Sequence, residues 1–391
     1  MNHDRVWTPD NKTIRRINKH ILTALALGEM PLTSLVRHLS LSACDGGVPQ
    51  VLDANLFTFL CQVGKSLKSL TLWELQIDDS MKIASFERKG LHLPHLEHLE
   101  LFNSEFMLPL VQSSTPNRLR HLGISCRSKM LHMPTSLTSL NIGCSHYCEP
   151  LPTTEEDDDE EEEQDEDEER CACGSLEEVL LRNQQIEKIT TYPYNIDGLI
   201  MPMHKTALAL LNKHLVNLRV LSLDLIVSYG WEQDSEESIH FKTLSALDVV
   251  TTVAKFSTLQ SLRLNFTTYT LWSESAWRGF HGRTSQELAP LTELRLLSLH
   301  IKSGSNRSKS ALPDTVGRHG GLLACAKEYA ATLPTVTQFH LEEKLYLKGG
   351  CEASSAFCHF HNQASGLNIK EVSLESAAFH SFQKVFKANE V

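Results

Sequence analysis

The chain has 391 residues, 41% apolar and 22% charged, enough apolar mass for a sizeable core, which excludes wholesale disorder, a collagen-like chain and a coiled-coil rod. Its formal charge of −11 is concentrated: Glu155 to Glu169 hold 14 acids in 15 residues, leaving 34 acids against 37 bases, a net of +3, in the remainder. A near-neutral body shows no basic face for nucleic acid, so no nucleic-acid partner is expected.

From the N-terminus, the chain opens polar and reaches only a short apolar stretch at Ile21 to Leu27, which lacks the layout of a secretory signal. Ile14, Ile17, Ile21, Leu22 and Leu25 fall at helical spacing, so residues 1–34 are predicted to form a helical cap. No window holds 18 consecutive apolar residues, which predicts no membrane span. Ten cysteines scattered without dense spacing fit a reducing compartment. The chain is therefore expected to be intracellular, cytoplasmic or nuclear, with the sequons at Asn11, Asn265 and Asn306 meeting no glycosylation machinery.

From Val36 onward one phrase recurs, apolar-x-x-apolar-x-apolar. It reads VRHLSL ending at Leu41, LKSLTL at Leu72, LEHLEL at Leu101, LRHLGI at Ile124, LTSLNI at Ile142 and LEEVLL at Leu181. It continues as LRVLSL at Leu223, LQSLRL at Leu264, LRLLSL at Leu299, VTQFHL at Leu341 and IKEVSL at Leu374. Each copy is predicted to be a short strand whose alternate residues point into a core. LSALDV at Leu244 to Val249 fits the phrase, but Leu244, Leu247, Val250 and Ala254 have helical spacing, and it is read as a helix. Helical stripes lie between the strands: Leu52, Leu56, Phe59, Leu60 and Val63; Leu208, Leu211 and Leu215; Leu322, Leu323, Ala326 and Tyr329; and Phe379, Phe382 and Phe386. Strand alternating with helix implies parallel strands joined by right-handed crossovers, in units that must stack to bury their apolar faces.

On these phrases the chain, from about Leu35 to Leu374, resembles the leucine-rich repeat family, in its ribonuclease-inhibitor-like branch. The uneven repeat lengths are similar to those of fungal F-box/leucine-rich repeat proteins, although no F-box is recognisable. The resemblance implies an α/β solenoid, a horseshoe of about eleven irregular repeats over residues 35–391, with parallel strands on the concave face and helices on the convex one. It departs from the family at the Asn/Cys position after the strand, which is Cys44 in the first copy but Leu75, Ser104, Arg127, Gln184 and Lys302 in later ones. What the resemblance implies for function is a non-enzymatic protein-recognition scaffold, the substrate-binding part of an SCF-type ubiquitin-ligase adaptor, with cullin-RING ligase components among its partners.

The insertion at 151–172 contains the acidic run, including Glu155, Asp157, Glu162 and Asp167. Fourteen carboxylates with almost no apolar residue repel one another and cannot offset the entropy of folding, so this loop is predicted to be disordered. It reads either as an arm that docks basic proteins such as histones, making the chain an acidic nuclear binding protein, or as a solvated spacer.

Phosphate-cradling, dinucleotide, metalloprotease and nucleophile-elbow motifs are all missing from the sequence, so no enzymatic activity and no cofactor are expected. Cys144, His146, Cys148, Cys171 and Cys173 flank the acidic loop, but their spacings match no common zinc finger. Cys351, Cys358, His359 and His361 are read as lying on a helix, and His92, His95 and His98 as solvent-facing; no metal site is assigned.

The candidate partner-binding residues follow from the register of the phrases. Residues directly after the last apolar position form one row containing Trp73, Phe102, Arg182, Asn265 and His300, with Asp224, Glu342 and Glu375 in the same row. The next row contains Glu100, Arg263 and His340, and the one beyond it places His98 beside His121. Trp73 and Phe102 read either as an exposed aromatic anchor or as side chains turned under a loop. Arg182 and Arg263 against Glu342 and Glu375 would make the face basic in the middle and acidic at one end.

Overall fold

A computed structural model describes residues 36–42, 50–73, 75–77, 91–102, 104, 107, 118–125, 134–143, 173–192, 195–196, 199–200, 205–228, 244–268, 274–305, 316–347, 352–363 and 366–371. The predicted cap, the acidic insertion, the cysteines flanking it from Cys144 to Cys171, and the last phenylalanine stripe lie outside these residues. The chain forms two compact units, Met1–Ile186 and Glu187–Val391.

In the first unit, five strands pair in parallel in chain order: β1 (His38–Ser42), β3 (Ser69–Trp73), β5 (His98–Phe102), β6 (His121–Ser125) and β7 (Ser139–Gly143). A small parallel pair, β2 (Gln50–Leu52) with β4 (Leu75–Ile77), accompanies them, as do helices α1 (Ala54–Gly64) and α2 (Cys173–Arg182). Asp53 caps α1, its carboxylate accepting the Leu56 N–H at 2.7 Å.

In the second unit, β8 (Lys188–Tyr192), β11 (Val220–Ser228), β13 (Ser261–Thr268), β14 (Leu296–Ser305) and β15 (Gln338–Leu347) pair in parallel. Two further strands, β16 (Glu352–Gln363) and β17 (Gly366–Glu371), add antiparallel to β15 and to each other. Short pieces β9 (Asn195–Ile196), β10 (Leu199–Ile200) and β12 (Leu244–Ser245) complete the strands. The helices are α3 (Lys205–His214), α4 (Ala246–Val253), α5 (Glu274–Leu288) and α6 (Val316–Thr332).

The repeated phrase explains the core. Leu67, Leu70 and Leu72, Leu96, Leu99 and Leu101, Leu218, Leu221 and Leu223, and Leu294, Leu297 and Leu299 are all buried. Each side chain fully removed from water stabilises the fold by about 1.5–3 kcal/mol. The strand-entry hydrogen bonds also repeat. The carbonyls of Arg37, Lys68, Glu97 and Arg120 in the first unit, and of Glu187, Arg219, Gln260 and Arg295 in the second, each accept two successive N–H groups from the next strand at 2.8–3.1 Å.

Nine of the eleven phrases are strands in register; LSALDV, read as a helix, is one from Ala246 on, but Leu244 and Ser245 form β12 against β11, and the buried residues of α4 are Ala246, Val249, Val250 and Val253. Two phrases behave otherwise. LEEVLL is helical: Leu176, Val179, Leu180 and Asn183 are buried at helical spacing while Leu181 is 51% exposed, and Ile186 just ahead of β8 and Ile189 within it are the buried residues in the strand phrase's place. IKEVSL only overlaps the end of β17, which is antiparallel, and Leu374 lies outside the described residues. The segment holding Cys358, His359 and His361, read as helical, is strand β16. Helix α5 has no counterpart in the sequence reading, because its buried stripe mixes Trp277, Phe280 and Leu288 with His281, Thr284 and Ser285.

Buried polar side chains satisfy main-chain groups beside the strands, one of them, Ser104, at the position where the resemblance expects Asn or Cys. Ser104 Oγ accepts the Leu75 N–H at 3.0 Å. Asn183, fully buried, accepts the Leu137 N–H at 3.1 Å and donates to the carbonyls of Pro134 and Val179 at 2.8 and 2.9 Å. Thr191 Oγ1 accepts the Asp224 N–H at 2.7 Å. Each satisfies a backbone group that would otherwise cost about 1–3 kcal/mol when buried.

Candidate functional site

The sheet face opposite the leucines carries polar side chains in rows fixed by the strand register. In the first unit one row runs His38, Ser69, His98, His121 and Ser139, and the next runs Ser40, Thr71, Glu100, Gly123 and Asn141. Glu100 is the hub. Its carboxylate accepts Asn141 Nδ2 at 3.1 Å and Thr71 Oγ1 at 3.3 Å, and lies 3.2 Å from His121 Nε2 and 3.7 Å from His98 Nε2. The His98 and His121 rings stack 3.9 Å apart and nearly parallel, and His121 Nδ1 is 2.9 Å from Ser139 Oγ.

Gly123 makes this possible. A Cβ there would stand 2.7 Å from Glu100 Cγ, so only glycine lets the glutamate lean across β6 towards Asn141 on β7. Burial pushes the Glu100 carboxyl up, but hydrogen bonds and charge from His121 and His98 outweigh it and hold the group well below the usual carboxylate range.

The second unit repeats the tripeptide His-Leu-Glu at His340 to Glu342 and again sets a histidine beside it. His300 pairs in register with Glu342, its Nδ1 2.7 Å from a carboxylate oxygen and its Nε2 2.7 Å from Ser298 Oγ. The His300 and His340 rings stack at 4.6 Å. Here the carboxylate also has Lys344 Nζ at 3.1 Å. Burial lowers both histidines, His340 to about 4, while the Glu342 carboxyl, raised by burial, is held low by His300, His340 and Lys344. Beside this cluster Asn265 Nδ2 donates to Asp224, and Arg263 Nε donates to Asn265 Oδ1 at 3.4 Å. Burial raises the Asp224 carboxyl against the pull of Asn265, Arg263 and Lys302.

Thus His98, Glu100 and His121 come together, as do His300 and His340, and Arg263 and Asn265 share one patch. Three other candidates stand differently. Arg182 is on α2, paired at 2.8 Å with Glu178 one turn earlier, because LEEVLL is a helix. Phe102 is 1% exposed, its ring set edge-on to half-buried Trp73 at 5.1 Å and lying over Gly143, where a Cβ would meet it at 2.8 Å. The Phe102 ring is therefore packed rather than an exposed anchor, and Trp73 is half-buried beside it. Asn265 and His340 are buried on the same face.

The expected basic middle also changes. Among the described residues the cations on this face of the second unit include Lys188, Arg263, Lys302 and Lys344, the last three interleaved with Asp224 and Glu342. The acidic-arm residues Glu155, Asp157, Glu162 and Asp167 lie outside the described residues. What the sequence reading lacks is the clustering: it takes Glu342 only as a terminal charge, although His-Leu-Glu with a histidine in register on the adjacent strand is visible in both halves.

The fold and face define an α/β protein with a parallel sheet, leucines inward and an interlocked polar face outward. Among the described residues no helix is long and apolar enough to cross a membrane. Comparison with protein-family models finds no match, and comparison with curated proteins finds none.

Proposed function

We propose that this chain is a non-catalytic recognition scaffold of leucine-rich repeat type, a horseshoe whose polar sheet face receives a protein partner. On the resemblance to fungal F-box/leucine-rich repeat proteins, that partner is the substrate of an SCF-type ubiquitin ligase to which the chain acts as adaptor. The observation that supports this reading is the register of the outward rows. Hydrogen-bonding side chains from successive strands brace one another, which orders them before a partner arrives and reduces the entropy cost of binding. Mixed charges such as Arg263, Lys302 and Asp224 would then orient the partner.

The test is affinity purification of the full chain from cells, with Arg263→Glu/Lys302→Glu as the altered face. Recovery of cullin and its linker protein together with one client, the client lost on charge reversal, supports the proposal. Recovery of neither cullin nor a face-dependent client refutes it. The run of 14 acids in 15 residues supports a second reading, capture of basic proteins. That reading requires histones to be recovered by the full chain and lost on deleting Glu155 to Glu169.

A further inference from the structure

We infer that His98, Glu100 and His121 form a binding site for one divalent transition-metal ion of the zinc, cobalt and nickel class. From the sequence no metal is assigned here: the register sets His98 beside His121 but leaves Glu100 in a separate row. The structure brings two imidazoles and a carboxylate, a donor set suited to such ions, within 4.8 Å of one another.

Three features favour an ion here over a plain histidine–glutamate pair. First, the ligands have supports of the kind that metal sites use. His121 Nδ1 lies 2.9 Å from Ser139 Oγ, where with an ion bound it would donate its proton while Nε2, 3.2 Å from the Glu100 carboxylate, turns its lone pair to the ion; Asn141 and Thr71 steady the carboxylate and Gly123 gives it room. Second, the site can close. Parallel stacked rings cannot both aim a lone pair at one point, but the His98 side chain is 37% exposed, against 14% for His121 and Glu100, so it has room to turn towards the other two.

Third, the carboxylate lacks a fixed cation. Among the described residues the charged partners of Glu100 are the two imidazoles, whereas the analogous Glu342 already holds Lys344 at 3.1 Å and its His340 is 1% exposed. The second cluster is therefore charge-compensated and closed, and the first is open. Three protein ligands leave the ion's remaining positions to solvent.

The experiment uses the full chain, stripped with chelator and titrated with Co²⁺ while visible absorption is followed, then challenged with Zn²⁺. One equivalent of cobalt should bind with d–d absorption and no thiolate charge-transfer band, and zinc should displace it. Glu100→Gln and His98→Ala should each weaken binding by about tenfold or more, and Ser139→Ala by about 10- to 100-fold, with circular dichroism unchanged. His300→Ala should leave the affinity as it is. The wild-type spectrum needs no variant, so the inference stays testable if a substitution impairs folding. No cobalt bound, a thiolate band, or an affinity that responds to His300→Ala and not to Glu100→Gln or His98→Ala overturns it.

Discussion

Replacing His281 with leucine should remove a large share of the protein's sensitivity to mild acid. His281 is fully buried between α5 and α6, with Trp277 and Tyr329 rings at 4.6 and 5.8 Å and its Nδ1 3.1 Å from the Tyr329 hydroxyl. Burial lowers its pKa to about 3 from the ordinary 6.5. Between those values the unfolded chain binds a proton that the folded chain does not, so stability is present above pH 6.5 and falls as pH drops, by about 1.4 kcal/mol per unit. From pH 7.5 to 5.0 the loss from this one group is about 2 kcal/mol. Losing the hydrogen bond between the imidazole and the Tyr329 hydroxyl costs His281→Leu about 0.5–1.5 kcal/mol at any pH, which cancels when each protein is compared with itself. Urea unfolding of both proteins at the two pH values measures the difference. If His281→Leu loses as much stability as the wild type over that interval, the imidazole is not buried in its neutral form and the packing of α5 on α6 is wrong.

Gly123→Ala should destabilise the first unit by about 1–3 kcal/mol in denaturant titration, since the added methyl meets Glu100 near its backbone rather than at a flexible tip. Asn183→Ala, which orphans the buried Leu137 N–H, should cost about 1–3 kcal/mol by the same measurement. Leu181→Lys should lie within about 0.5 kcal/mol of wild type while Leu180→Lys costs more than about 4 kcal/mol. A strand at LEEVLL would reverse that order, so thermal unfolding of the pair separates helix from strand.

How far the fold could be read from the sequence follows from which signal each element carries. Where the phrase has leucine at all three inward positions and a polar residue between the last two, as in LKSLTL or LQSLRL, period-2 alternation is unambiguous and the register came out residue by residue. LEEVLL ends in three consecutive apolar residues, so both periods fit it. The helix wins because Leu176, Val179, Leu180 and Asn183 then share one buried face and Ile186 and Ile189 take the strand phrase's place. Helix α5 is hard to see because a buried stripe containing His281, Thr284 and Ser285 looks polar. At the candidate site, rows were legible from register, so His98 beside His121 was expected. Which rows are covered was not: Phe102 follows the strand leucines just as an exposed residue would, and only Gly143 two strands away gives its ring a place to lie.

The doubly accepting carbonyls at the strand entries have a consequence for how the molecule can change. Because the main chain alone makes those bonds, the side chains at the entries take no part in them: Arg37, Lys68, Glu97 and Arg120 in one unit, Glu187, Arg219, Gln260 and Arg295 in the other. All are long and polar, and all but half-buried Arg37 are exposed. Such a margin can be rewritten from positive to negative, one letter per turn, with the ladder beneath it intact. Drift and protein engineering thus have a programmable border on which to tune solubility and long-range attraction.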